Sequence, residues 1–224
     1  MKQIAIDGPA GAGKSTIAKE ISKQRGFMYV DTGAMYRVIG MACLESGVDV
    51  NDETAVSDIC RNADIDIRYI DGVQHMYLKG KDVSSDIRKE AVGRAASDVS
   101  RFLAVRERLV AMQRNLGERY DVVMDGRDIG TQVLINADLK IYLTASVDCR
   151  AKRRFDELVA KGESCDYEVI KKDIADRDWQ DMHRAISPLC KADDAVEIDS
   201  SDMNIEEVTA AVLKLYDEKV NNGR

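Results

Sequence analysis

The stretch that most constrains this chain is Gly-Pro-Ala-Gly-Ala-Gly-Lys-Ser-Thr at residues 8–16. It follows an apolar run at Ile4 to Ile6 and fits the spacing G-x-x-x-x-G-K-[ST], with Gly8, Gly13, Lys14 and Ser15 at the fixed positions. Glycines at that spacing let backbone N–H groups turn inward around an anion, through angles and close approaches that a Cβ forbids. Lys14 adds a charge. The helix expected to open over residues 13–16 points its positive end at the same oxyanions, and the Ser15 hydroxyl is placed to ligand Mg²⁺. Four fixed positions arise by chance in a chain of 224 residues on the order of one time in a hundred, before any strand and helix context is required. The segment reads as a phosphate cradle between a strand and a helix.

A chain of this length with 45% hydrophobic residues can bury a good core as one domain of mixed α/β type with small insertions. Its apolar runs are only a few residues long, and it opens with neither a basic segment nor a hydrophobic leader, so the expectation is a cytoplasmic protein with no membrane contact. Cys43, Cys60, Cys149, Cys165 and Cys190 form an odd set without C-x-x-C spacing, and the chain has only two histidines, which indicates neither a disulfide framework nor a zinc site. A net charge of −7 argues against broad binding to nucleic acid or to an anionic membrane. An anionic ligand must then be met locally, which makes clustered arginines informative.

Apolar runs bounded by turn residues recur at 4–6, 27–30, 122–124, 139–143 and 195–198, separated mostly by helical periodicity. They predict a five-stranded parallel sheet with helices over roughly 14–25, 34–46, 102–119, 149–161, 168–184 and 205–220, and ligands bound beyond the carboxyl ends of the strands. One stretch breaks the pattern. Residues 65–70 and 74–78 alternate around Asp71-Gly72, which predicts a β-hairpin inserted as a subdomain.

Four stretches carry candidate chemistry. The strand-like residues 120–124 end in Asp125-Gly126-Arg127-Asp128, two carboxylates and a guanidinium at a strand's carboxyl end; Asp125 suits a Mg²⁺-water partner and Arg127 a bidentate phosphate contact, although an Asp-Gly turn with a surface ion pair reads the same way when taken alone. Asp31, Thr32, Tyr36 and Arg37 sit at the start of a helix, where a second anion can bind and where Asp31 or Thr32 can also serve as a cap. Arg150, Lys152, Arg153 and Arg154 are four cations within five residues, either a solvated basic face or a lid over nucleotide phosphates. Arg177, Asp181 and Arg184 share one helical face, where the plain reading is a ladder of surface ion pairs. His183 and Trp179 receive no role.

Taken together, these features resemble bacterial cytidylate kinases over essentially the whole chain. The resemblance rests on I-D-G-P-A-G-A-G-K-S-T at 6–16, D-T-G-A-M-Y-R at 31–37, D-V-S-S-D-I-R at 82–88, A-A-S at 95–97, V-R-E at 105–107, D-G-R-D-I-G-T at 125–131 and R-D-x-x-D-x-x-R-x-x-S-P-L at 177–189. Asn136, where proline is common, and Thr32, where serine also occurs, are small departures.

The resemblance implies a three-layer phosphate-loop fold with the five-stranded parallel sheet, a nucleoside monophosphate-binding insert that contains the hairpin, and a helical lid. It implies one domain over residues 1–224, with a core of about 1–36, 86–147 and 166–224, an insert region of about 37–85 and a lid of about 148–165. It also implies transfer of the γ-phosphoryl group of ATP, with Mg²⁺, to CMP or dCMP by a monomer whose partners are nucleotides. By the same resemblance Gly8, Pro9, Ala10, Gly11, Ala12, Gly13, Lys14, Ser15 and Thr16 hold the ATP phosphates, helped by Arg150 and Arg154, with Arg153 in the same lid and Ser15 on the metal. Tyr36, Arg37 and Arg127 surround the acceptor phosphate, with Thr32 alongside. Ser97, Arg106 and Asp128 contact cytosine, Arg177 and Asp181 lie near the ribose, and Arg184 helps to bind the nucleotide. Lys14, Arg127, Asp128 and Arg177 carry the catalytic step.

Rival readings are another small-molecule kinase of this fold, such as a UMP/CMP, adenylate or shikimate kinase, and a GTP-binding switch. The hairpin and the R-D-x-x-D-x-x-R face speak against the first, and the lack of an N-K-x-D segment against the second. A nucleic-acid kinase or ATPase is disfavoured by the acidic charge.

Overall fold

The computed structural model describes residues 1–222. In chain order the elements are β1 (Gln3–Asp7), α1 (Lys14–Arg25), β2 (Met28–Asp31), α2 (Thr32–Glu45), α3 (Glu53–Asn62), β3 (Ile65–Ile70), β4 (Val73–Leu78), β5 (Lys81–Asp82), α4 (Glu90–Val99), α5 (Leu103–Arg119), β6 (Val122–Gly126), β7 (Leu139–Thr144), α6 (Val147–Ala160), α7 (Tyr167–His183), β8 (Val196–Asp199) and α8 (Ile205–Asn222). A 3₁₀ turn covers Asp86–Arg88, and a π-helical turn covers Ile129–Val133.

All five apolar runs form strands of one five-stranded sheet of order β2-β6-β1-β7-β8. The pairings of β1 with β6 and β7, and of β7 with β8, are parallel, with Ile4 opposite both Val123 and Leu139. Ile4, Ala5, Ile6, Val122, Val123 and Met124 are fully buried, as strands covered by helices on both faces require.

The chain divides into two compact units, one of Met28–Tyr120 and one joining Lys2–Phe27 to the segment that begins at Asp121. In the second unit, α1 buries Ile17, Ala18 and Ile21 and ends at Gly26 in the left-handed conformation, whose N–H bonds the Ser22 carbonyl at 2.8 Å. Its neighbour α8 presents Val208, Val212 and Tyr216 at four-residue intervals. Ser146 and Asp166 cap α6 and α7 by accepting the N–H groups of Cys149 and Val169 at 3.2 and 3.1 Å.

In the first unit the core is helical. Val38 and Ile39 of α2, Val105 and Leu109 of α5 and Ile87 of the 3₁₀ turn are all fully buried in one cluster. The hairpin forms in the expected register, Ile65 opposite Leu78 through Ile70 opposite Val73. Its turn has φ of 50° at Asp71 and 77° at Gly72, the type I′ geometry that matches strand twist. Met76 and Leu78 point into the helical cluster, with Ile65 and Ile67 packed against it, so one hairpin face belongs to the core. This unit holds together because α4 packs extensively on α2, and α5 on α2 and α3. Helices α3 and α4 and the short strand β5 add to the elements read from periodicity.

All five cysteines are free thiols, Cys43 and Cys60 buried among them. Among the described residues no helix is long and apolar enough to cross a membrane. Leu109 has no exposed surface, so Leu109→Ala is expected to lower unfolding free energy by about 2–5 kcal/mol. Urea denaturation followed by circular dichroism checks this, and a loss below about 1 kcal/mol contradicts the packing described.

Candidate active site

The loop between β1 and α1 is formed by close approach. Gly8 has φ of 147°, and a Cβ built on it falls 1.9 Å from the Leu143 carbonyl oxygen of β7. No other residue type fits there without moving the backbone of β7. Gly11 and Gly13 also take positive φ, at 77° and 89°. The loop then enters α1 at Lys14, whose side chain is almost wholly buried and whose Nζ donates to the Pro9 carbonyl at 2.7 Å.

Burial pushes the Lys14 amine down to about 7, and the Arg127 charge pushes in the same direction, while Asp125, Asp181 and Asp7 oppose them. Arg127 Nε donates to Asp181 Oδ2 at 2.7 Å. Burial works against the Arg127 charge, but Asp181 outweighs it and the guanidinium is held above its ordinary value. Burial likewise works against the Asp181 carboxylate, but Arg127 lowers it, aided by Arg177 and Arg184. Ser15 Oγ donates to Asp125 Oδ2 at 2.7 Å, which places a hydroxyl and a carboxylate together beneath the loop.

Arg184 ties the α7 face to the strand end. Its Nη2 lies 3.7 Å from Asp128 Oδ1, its Nη1 3.9 Å from Asp181 Oδ1, and its Nε donates to the Ser187 carbonyl at 2.7 Å. Arg177, half-buried on the same helix, is close enough to Asp181 to favour its ionised form. The face read from i, i+4, i+7 spacing is thus turned inward at Asp181, which is 6% exposed.

The basic run on α6 divides in two. Arg150 is 3% exposed. Its Nε donates to the Ala145 carbonyl at 2.8 Å, its Nη1 to the Ala10 carbonyl of the phosphate loop at 3.0 Å, and its Nη2 pairs with Asp178 at 2.7 Å. In this conformation it is a strut under the loop. Arg153 bonds the Ser200 carbonyl at 2.6 Å, whereas Arg154 and Lys152 turn outward to Glu157 and Asp156 at 3.0 and 2.5 Å. Trp179 is 62% exposed on α7 and stacks on His183, ring centroids 4.5 Å apart.

A second group of candidate residues gathers within Met28–Tyr120. Asp31 Oδ1 accepts the Ala34 N–H at 2.9 Å and caps α2, while its Oδ2 pairs with Arg88 at 2.8 Å. Thr32 is buried at the start of the same helix. The Arg106 guanidinium lies 5.6 Å from the centre of the Tyr36 ring and donates to the Ser100 carbonyl at 3.1 Å. Ser100 in turn donates to the carbonyl of Ser97, and Arg37 Nη1 donates to that of Ile87 at 3.2 Å.

Sequence reading passed over Asp7, Lys140 and Asp178, all nearly buried. The one available signal was a carboxylate at the end of an otherwise apolar strand just before the glycine-rich loop. Among the described residues no three His, Cys, Asp or Glu side chains gather into a metal cage. The cluster can bind a polyphosphate and neutralise charge on it.

The family model described as Cytidylate kinase matches residues 4–218. The cytidylate kinase of Caldicellulosiruptor bescii is 50% identical over 98% of this chain and 97% of its own length. That of Bacillus licheniformis is 48% identical over 96% of each, and that of Bacillus subtilis 45% identical over 96% of each. A gluconokinase from Sinorhizobium meliloti superposes with a TM-score of 0.50 at 12% identity, covering 100% of this chain and 98% of its own, a likeness of fold alone.

The Lys14 amine titrates near 7 without ligand, and a bound polyphosphate raises it. ATP binding at pH 8 is therefore expected to raise the proton occupancy of Lys14 by about one, and at pH 6 by almost none. Calorimetry in buffers of differing ionisation enthalpy measures this. Uptake that persists undiminished in Lys14→Met contradicts the assignment.

Proposed function

The chain belongs to the cytidylate kinase family, and from that premise we propose that it transfers the γ-phosphoryl group of ATP to CMP or dCMP, giving ADP and CDP or dCDP. The observation that supports this reading is the ammonium held beside the glycine-rich loop: Lys14 is depressed first by its burial and then by the charge of Arg127, both of which an anion with several oxygens offsets. Phosphoryl transfer asks chiefly for alignment of two anions and neutralisation of charge on the group in flight, so no covalent intermediate is needed.

Residues 8–16 cradle the donor phosphates through backbone N–H groups, and Lys14 exchanges the Pro9 carbonyl for phosphate oxygens. Ser15 Oγ and Asp125 Oδ2, 2.7 Å apart, offer hard oxygen donors that suit Mg²⁺, an ion that keeps several waters and takes few protein ligands. When bound, Mg²⁺ neutralises charge on the phosphate oxygens. Arg150, through its bond to the Ala10 carbonyl, supports the loop from below, and Arg154 is the lid cation free to turn from Glu157 towards the donor.

Arg127 meets the acceptor phosphate, as do Tyr36 and Arg37, with Thr32 beside them. Ser97, Arg106 and Asp128 read cytosine, Arg177 and Asp181 take the ribose, and Arg184 orients Asp128 and the nucleotide. Uracil presents a carbonyl where cytosine presents an amino group, and leaves a carboxylate facing it unsatisfied. The protein acts in the cytoplasm as a monomer, with nucleotides as its partners.

A coupled assay of ADP formation with CMP, dCMP, UMP, AMP and GMP offered separately tests the reading. Activity confined mainly to the cytidine nucleotides is expected, and preference for AMP or GMP overturns the acceptor assignment. Lys14→Ala is expected to lower turnover at least a hundredfold with the fold intact. Asp128→Ala is expected to narrow the CMP-to-UMP ratio of kcat/KM by at least tenfold, and an unchanged ratio removes Asp128 from base recognition.

A further inference from the structure

We propose that Asp7 is a positioning residue for base selection: its carboxylate clamps the π-helical turn that carries Asp128, and so fixes where Asp128 meets the acceptor. This deepens the proposed function and rests on its assignment of Asp128.

Asp7 ends β1 and is 5% exposed. It sits between two strands, opposite Gly126 of β6 and Tyr142 of β7. Its Oδ1 accepts the Ile129 N–H at 2.7 Å, and its Oδ2 accepts the Gly130 N–H at 2.7 Å. Both bonds go to the turn and not to the phosphate loop that follows Asp7 in the chain.

The turn needs such an anchor. Asp128, at its head, has φ of −147° and ψ of 27°, outside the broad strand and helix wells. The turn closes by the π-type bond from the Leu134 N–H to the Ile129 carbonyl at 2.7 Å, a rare geometry that is frequent at functional sites. The first amides of a helical turn have no partner within it. Two adjacent ones are met here by a single carboxylate, which fixes both distance and tilt.

The packing around this clamp leaves no slack. A Cβ on Gly130 falls 3.1 Å from Lys140 Cδ and 3.3 Å from Asp7 Oδ2. Lys140 is itself 5% exposed, with its ammonium drawn away to Asp194 at 2.8 Å, so its stem walls the turn while its charge lies elsewhere. Burial raises the Asp7 carboxyl to about 6, against the two amides that favour its ionised form. A carboxylate kept in so unfavourable a place, with two amides as its hydrogen-bond donors, is there for those amides. The loop's own shape rests on other contacts: Gly8 against Leu143, Lys14 on Pro9 and Arg150 on Ala10.

Loss of the clamp should therefore be felt far more by the acceptor than by the donor, whose Lys14 loses the least of the three carboxylates that favour its charge. Asp7→Asn keeps one acceptor and turns an NH₂ against the second amide. Gly130→Ala disturbs the clamp from the turn's side and stands in if Asp7→Asn fails to fold. The experiment measures kcat/KM for CMP and UMP, KM for CMP, and the Kd of a non-hydrolysable ATP analogue with Mg²⁺ by calorimetry, with Asp128→Ala alongside.

In folded Asp7→Asn the CMP-to-UMP ratio is expected to fall at least tenfold and KM for CMP to rise, while the analogue's Kd stays within twofold of the parent. Gly130→Ala is expected to move in the same direction by less. A ratio within twofold of the parent in these variants, beside a narrowed ratio in Asp128→Ala, overturns the inference alone. A loss of analogue affinity equal to the loss for CMP also overturns it, since Asp7 would then serve the phosphate loop. An unchanged ratio in Asp128→Ala overturns the assignment of Asp128 and this inference with it.

Discussion

Lys14 is almost wholly buried at the mouth of its helix, and after burial itself the charge that weighs most against its ammonium is that of Arg127. The site is organised to contain that repulsion. Asp181 takes Arg127 in a direct pair, Asp125 holds Ser15 and lends its charge to Lys14, and the Pro9 carbonyl receives the ammonium. These interactions hold the Arg127 charge firmly but leave the Lys14 charge disfavoured, because burial outweighs the carboxylates around it. Further negative charge beside Lys14 would favour its ammonium.

Much of this was legible from residue order because its causes are local. The phosphate loop depends on glycine spacing, the parallel strands on unbroken apolar runs, and the hairpin on an Asp-Gly pair between alternating segments. Helices α3 and α4 were missed for equally physical reasons. Each is only 10 residues long, so the apolar stripes they do carry, Val56 with Cys60 and Val92 with Ala95, Ala96 and Val99, repeat over less than the roughly 11–18 residues in which a helical period stands out.

The turn at 129–133 was illegible for a further reason: its anchoring carboxylate lies more than 120 residues earlier in the chain. The charge runs show the same limit. A solvated ladder and a buried network have identical spacing, and only the fold turns Asp181 and Arg150 inward while leaving Lys152 and Arg154 outside. Candidate residues could thus be named from motif and resemblance, whereas the residues that hold them, Asp7 and Asp178, required three-dimensional contacts to be seen.

The stack of Trp179 on His183 has a use of another kind. Trp179 is the only tryptophan in the chain and lies two residues from Asp181 and from Arg177 on the same helix. Its indole is largely in solvent, so its emission responds to any change in the wetness of that helical face or in the charge of the imidazole beneath it. The molecule therefore carries a single indole fluorophore on α7, which excitation at the red edge of its absorption, where the eight tyrosines absorb little, reads selectively in unlabelled protein.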